Sequence, residues 1–176
     1  MSAENIVVGD EDMVDFLVHA KKEYIMAGKN IINKGQWGYE VERLGGLCSF
    51  GIRELVKFRK QPVFLISYTG HVMPEFMPEE LGNEKAYFLA RKVNNFLEQC
   101  CLKVEPSRPF RGPEEANIKI PGFSELQYAA RADSDCLDKE GRVSLDHFRG
   151  TDFVVINRDG ILSTLWAGSY LGGRLR

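Results

Sequence analysis

Two acidic side chains occupy positions where this sequence of 176 residues otherwise has apolar ones. Each lies in a segment with the alternating pattern of a β-strand: Glu54 precedes Val56 by two positions, and Asp152 likewise precedes Val154. A carboxylate on the apolar face of a strand is costly unless it is paired or hydrogen-bonded. If the two acids approach each other, one pKa rises and the pair suits general acid–base catalysis. The alternative is that each acid accepts structural bonds from an arginine or from the backbone.

Two arginines are the candidate partners of these acids. Arg111 and Arg149 each follow a phenylalanine and precede a glycine, in the stretches FRGP and FRGT. A guanidinium binds a carboxylate of the protein or the anionic group of a ligand by the same bidentate geometry. Structural pairing with Glu54 and Asp152 is the favoured interpretation, and binding of an anionic ligand is the alternative.

Four aromatic residues of the predicted strands are candidates to line a ligand pocket between helices and sheet. They are Tyr39, Tyr68, Tyr128 and Trp166. Small-molecule pockets are typically lined by aromatic and apolar side chains with a few polar groups. Aromatic residues at this spacing more often fill the core, so a place in the interior is the favoured interpretation and the pocket is the alternative.

The remaining reactive side chains form no recognisable catalytic or metal site. The sequence has no HExxH or CxxC motif, and no GxSxG nucleophile elbow. We therefore expect no metal and no cofactor. The four cysteines, which form no CxxC pair, are interpreted as small core residues of a protein in the reducing cytoplasm; they are Cys48, Cys100, Cys101 and Cys136.

Composition is that of an ordinary water-soluble globular domain, and it excludes several classes of partner. Hydrophobic residues make up 44% and charged residues 27%, with a net charge of −2. No clustered basic patch indicates direct nucleic-acid binding. No apolar run approaches the ~20 residues that a membrane span requires. The acidic N-terminus lacks the features of a secretion signal, so we expect a cytoplasmic location.

Hydrophobic periodicity predicts two helices and seven strand segments. Apolar residues recur at helical spacing over 10–28 and 83–102. Segments with strand patterns form two sets of consecutive strands, with 29–36 interpreted as a loop. The predicted strands are 37–44, 47–59, 63–70, around 123–132, 142–148, 152–157 and 161–167.

The two sets of elements resemble each other. With an offset of 98 positions, residues 50–70 align with residues 148–168 without a gap, and Phe50, Val56 and Gly70 are matched by identical residues. Any two hairpins share a period of two, which is the alternative explanation. The match predicts two αβββ halves, at about 10–75 and 83–173, within a single domain covering 1–176. The predicted fold class is α+β, an antiparallel sheet of about six strands with both main helices on one face.

Several short motifs also resemble a bacterial family of uncharacterised domains, a domain of unknown function that sometimes follows a phage-repressor-type helix-turn-helix. The matching stretches are FLVHAKK (16–22), FGIRELV (50–56), QPVFLISYTG (61–70), FRGP (110–113), FRGTDFVV (148–155) and YLGG (170–173). The chain differs in having Asp152 where the family pattern has glutamate. It has no room for a helix-turn-helix before residue 10, so the resemblance implies no direct DNA binding, and it supplies no established activity.

Three functions remain open on the sequence. The first is binding or sensing of a small molecule at the interface of the two halves, since family members fused to DNA-binding modules would need a part that reads an effector. The second is an enzyme that uses Glu54 and Asp152 as an acid–base pair. The third is an interaction module that forms a homodimer without a ligand. The sequence does not identify the ligand.

Overall fold

The computed structural model of the chain describes residues 9–73, 82–110, 115–118, 126–137, 139, 143–158 and 160–175. In these residues two α-helices and eight strands follow one another in the order αββββ, then αββββ. They are α1 (Asp10–Ala27), β1 (Ile31–Lys34), β2 (Trp37–Gly45), β3 (Ser49–Phe58), β4 (Gln61–Val72), α2 (Gly82–Cys101), β5 (Glu115–Ile118), β6 (Leu126–Ala132), β7 (Phe148–Arg158) and β8 (Ile161–Arg174). No helix among the described residues is long and apolar enough to cross a membrane.

All eight strands form one antiparallel sheet in the order β1-β2-β3-β4-β8-β7-β6-β5. The predicted α+β class with an antiparallel sheet is confirmed, but the sheet has eight strands rather than about six. The two additional strands, β1 and β5, have four residues each and lie at the two edges of the sheet. β1 covers part of 29–36, where the sequence predicted a loop. The predicted strand at 142–148 is wrong, since only an isolated bridge at Val143 precedes β7.

Both helices cover the same face of the sheet. Met13 and Leu17 of α1 pack against Phe64 and Ile66, and Val93 of α2 belongs to a second cluster over the other half of the sheet. Alternation along each strand therefore turns one set of side chains towards the helices. Glu54 and Asp152 both belong to this buried set, with exposed fractions of 5% and 1%.

Strand pairing defines how the two halves correspond. Tyr39 lies opposite Val56 in the first half, and Tyr128 lies opposite Val154 in the second. Strand β3 therefore matches β7 with the predicted offset of 98. Glu54, two residues from Val56, is then structurally equivalent to Asp152, as the sequence predicted.

The offset of 98 does not extend to the last strand of each half. Val56 lies opposite Phe64, whereas Val154 lies opposite Trp166, so β4 matches β8 with an offset of 102. The cause is the second hairpin, which extends two further residue pairs before its turn. With these offsets a pseudo-twofold axis passes through the paired residues Tyr68 and Tyr170 at the centre of the sheet.

Aromatic rings cross between the halves near this axis. Phe50 stacks on Trp166 with ring centroids 6.2 Å apart, and the equivalent pair, Phe148 and Phe64, stacks at 5.8 Å. Each β3 or β7 phenylalanine thus packs on a ring of the neighbouring half. Stacked pairs of this kind contribute about 0.5–1.5 kcal/mol each beyond the apolar area that they bury, so the halves share one interior.

Candidate functional site

A buried ion pair joins α1 to the sheet. The ammonium Nζ of Lys21 lies 2.6 Å from Oε2 of Glu54, and both side chains are almost fully buried. Lys21 follows Ala20 on the apolar side of α1, so the helix turns its ammonium towards the sheet. The partner of Glu54 is therefore a lysine from the helix, and not one of the two arginines that the sequence suggested.

The same ammonium binds two further oxygen atoms. It donates to the hydroxyl of Tyr68 at 2.6 Å and to the backbone carbonyl of Phe110 at 3.0 Å. The Tyr68 hydroxyl also donates to that carbonyl. Lys21 thus connects α1, the sheet and the segment that follows α2.

Tyr39 lies beside this cluster on β2 and is completely buried. Burial, and after it the negative charge of Glu54, raise the pKa of Tyr39 well above its usual value of 10.0. The phenol consequently stays protonated and presents a neutral dipole near the carboxylate. Tyr39 is not among the residues that line the cavity.

A cavity of about 370 Å³ opens beside the ion pair, between the two helices and the first half of the sheet. Its floor comes from strands β3 and β4 and contains Phe50, Ile52, Glu54 and Tyr68. One wall is α1, with Lys21 and Tyr24, and the opposite wall is α2, with Asn94, Leu97 and Glu98. Because the walls come from both halves, this cavity lies at their interface. Its size and its mixture of apolar and polar groups are those of a small-molecule site.

Arg43 of β2 lies at the edge of the cavity. Its guanidinium lies over the ring of Phe50, 5.1 Å from the centroid, and donates to Oδ1 of Asn94 at 3.4 Å. Nδ2 of Asn94 is held by the carbonyl oxygens of Leu47 and Ala90, at 2.9 and 2.8 Å. The amide is thus fixed, whereas Arg43 has one long hydrogen bond and an exposed side chain. Partial burial raises the pKa of Tyr24 on the facing helix, and Arg43 opposes that shift.

Asp152 lies in a different part of the interior from Glu54. The hydroxyl of Tyr128 donates to its Oδ2 at 3.2 Å, as expected for equivalent tyrosine–carboxylate neighbours in the two halves. Two strands, β4 and β8, lie between Glu54 on β3 and Asp152 on β7. The strand pairing also shifts the two residues by four positions along the strands. Standard sheet dimensions separate their backbones by roughly 14 Å across the strands and 13 Å along them, or about 20 Å. The predicted acid–base pair is therefore wrong, since the two carboxylates cannot share a proton.

The other predicted site residues lie away from the cavity. Trp166 and Tyr128 are buried in the core over the second half of the sheet. Arg149 lies at the surface, where it forms ion pairs with Asp133 at 2.7 Å and Asp135 at 2.8 Å. The candidate Arg111 lies outside the described residues.

Of the predicted site residues, Glu54 and Tyr68 line the cavity, whereas the sequence analysis did not name Lys21, Arg43 and Asn94. A signal existed for Lys21, which lies four residues after Leu17 and so belongs to the apolar stripe of a helix. A charged residue in such a stripe indicates a buried partner. Arg43 and Asn94 offered no comparable signal, because only the packing of α2 over the first half brings them together.

Within the described residues, no group of three or more histidine, cysteine, aspartate and glutamate side chains could hold a metal ion. The geometry instead offers a cavity with a neutralised ion pair in its wall and an arginine at its edge. No model of a known protein family, curated protein or solved structure matches the chain.

Proposed function

We propose that the protein binds a small organic molecule in the cavity between α1, α2 and strands β3 and β4. The cavity itself supports this proposal most strongly, since its volume of about 370 Å³ and its mixed polar and apolar lining suit a small molecule. Replacing a buried ion pair by apolar side chains is often neutral or stabilising. Stability therefore does not explain the pair formed by Lys21 and Glu54, which gives the cavity wall polar groups without net charge.

Binding is favoured over covalent catalysis by the state of Lys21. A nucleophilic lysine needs an unprotonated amine with a free lone pair. The amine of Lys21 contacts Glu54 at 2.6 Å and two further acceptors. This arrangement stabilises an ammonium ion, which has no lone pair. The cavity thus has the features of a receptor rather than those of a Schiff-base enzyme.

A sensory role in the cytoplasm fits this proposal. The motifs that resemble a family with helix-turn-helix fusions suggest a domain that reads an effector. The four cysteines are free thiols, as is usual in a reducing compartment. A net charge of −2 favours no direct contact with nucleic acid.

The test is a thermal-shift screen of the purified protein against amino acids, nucleosides, sugars and organic acids. A ligand at a concentration 100 times its Kd stabilises a protein by about 2.7 kcal/mol. For a domain of this size such a gain raises Tm by about 5 °C or more. The variant Ile52→Trp fills the cavity and should abolish the shift.

Two control variants make the screen specific. Ile52→Val leaves the cavity open and should retain the shift. Leu162→Trp adds the same indole at a residue that is 61% exposed on β8, and it should also retain the shift. If no compound raises Tm, or if Ile52→Trp responds like the two controls, the cavity is not the binding site and the proposal fails.

A further inference from the structure

The second half of the protein contains a ring in the place where the first half has its cavity. Phe110 stacks on Phe148 with centroids 4.2 Å apart and ring planes 17° apart, and its centroid lies 6.2 Å from that of Tyr170. Phe148 and Tyr170 are the equivalents of Phe50 and Tyr68, which form part of the cavity floor. The cavity is thus the pseudo-symmetric counterpart of a site that Phe110 fills.

The difference arises from the two connections that follow the helices. Between α1 and β1 there are three residues, Gly28 to Asn30, whereas between α2 and β5 the chain runs from residue 102 to residue 114. The longer connection carries Phe110 into the interior. The shorter one brings no equivalent ring, and Phe50 lines the cavity instead.

Arg43 shows that the ring of Phe50 accepts a flat group over it. The guanidinium lies 5.1 Å from the ring centroid, and the same ring also stacks on Trp166. Arg43 is exposed, and its hydrogen bond to Asn94 is long at 3.4 Å. A ligand ring can therefore enter over Phe50 while the guanidinium moves to its edge, where it is available to a carboxylate.

The charges of the cavity wall identify the polar groups of the ligand. Lys21 and Glu54 neutralise each other at 2.6 Å. Two further charged residues line the cavity, Arg43 on β2 and Glu98 on α2, and neither forms an ion pair within the part of the chain that the structure describes. A cation and an anion that both border the cavity match a ligand that carries both a carboxylate and an ammonium group.

We infer that the ligand is an aromatic zwitterion, an aromatic amino acid or a close analogue. Its ring stacks on Phe50 as Phe110 stacks on Phe148, its carboxylate pairs with Arg43, and its ammonium pairs with Glu98. This inference rests on the proposed function, because it assigns a ligand class to the same cavity.

The test compares ligands that separate the ring from each charge. Isothermal titration calorimetry would measure the binding of tryptophan, phenylalanine, phenylacetate, phenethylamine and alanine to the full chain. We expect the aromatic amino acids to bind at least about tenfold more tightly than phenylacetate or phenethylamine, since each lost charge removes a charge-assisted hydrogen bond. Alanine, which lacks the ring, should not bind measurably.

Variants at the two charges make the assignment specific. Arg43→Gln should remove the advantage of the aromatic amino acids over phenethylamine, and Glu98→Gln should remove their advantage over phenylacetate. The matched control is Arg53→Gln, which neutralises an exposed arginine paired with Glu42 at 2.7 Å on the opposite face of the sheet, and it should leave every affinity unchanged.

Each other outcome overturns the inference. If a sugar, nucleoside or aliphatic acid binds with the Ile52→Trp dependence described above while the aromatic amino acids do not, the cavity is a binding site and the ligand class is wrong. If the aromatic amino acids bind but Arg43→Gln and Glu98→Gln behave like Arg53→Gln, the ring is recognised and the charges are not. If nothing binds, the proposed function fails together with the inference.

Discussion

Replacing Lys21 by methionine would test whether the ion pair with Glu54 is shielded from water. The variant keeps the length of the side chain but leaves a carboxylate that is 5% exposed without its cation. Loss of one partner from a buried pair costs about 3–5 kcal/mol. Because Glu54 also borders the cavity, water can reach it, and we expect a value near 3 kcal/mol. This corresponds to a fall in Tm of roughly 6–12 °C for a domain of this size.

The matched control is a lysine–glutamate pair of similar geometry at the surface. Lys57 contacts Glu40 at 2.5 Å, with side chains that are 27% and 42% exposed. Lys57→Met should therefore cost about 0–1 kcal/mol. The double variant Lys21→Met/Glu54→Leu removes both buried charges and should recover most or all of the stability lost in Lys21→Met.

Urea unfolding followed by tryptophan fluorescence gives the free energy of unfolding of each variant. The reasoning is refuted if Lys21→Met costs no more than Lys57→Met, since Glu54 would then be hydrated in the folded protein. It is equally refuted if the double variant is less stable than Lys21→Met, because the pair would then contribute more than it costs to bury.

Three further changes follow from the packing and the pKa shifts. Gly168→Ala should destabilise the fold by about 1–3 kcal/mol, because a β-carbon there would overlap the ring of Trp166, whereas Gly51→Ala, which meets only a carbonyl oxygen at 3.8 Å, should change stability little in the same urea assay. Tyr39 ionises in the unfolded chain above pH 10 but stays protonated when folded, so stability should fall as the pH rises beyond 10; Tyr39→Phe should reduce that slope in urea titrations at several pH values. A thiol reagent should modify exposed Cys48 rapidly, while buried Cys136, whose pKa is raised by burial, should react only on unfolding.

The sequence predicted the fold class and the equivalence of Glu54 and Asp152, because strand periodicity directly reports which side chains share a buried face. It did not predict where the carboxylates lie relative to each other. That depends on strand order, and the two central strands β4 and β8 separate β3 from β7. The edge strands β1 and β5 were missed because four residues carry too little periodicity to distinguish a strand from a loop.

Lys21 illustrates a second limit of the sequence. Helical spacing places it on the buried side of α1, yet spacing alone does not tell whether its partner is Glu54, Asp152 or a ligand. The choice is made by the position of the helix over the sheet, where the Tyr68 hydroxyl and the Phe110 carbonyl fix the ammonium. The sequence predicted a pocket between the halves, but it did not predict on which side of the pseudo-twofold axis the cavity lies, since that depends on where Phe110 packs.

The unequal connections after the two helices determine how many molecules one chain can take up. An assembly of two identical subunits would carry two identical clefts, either both open or both closed. Here both copies of the unit belong to one polypeptide. Phe110 therefore fills one of the two equivalent sites, and the cavity occupies the other. Titration of the cleft should therefore saturate at one molecule per chain along a simple hyperbola, with no cooperativity within the chain.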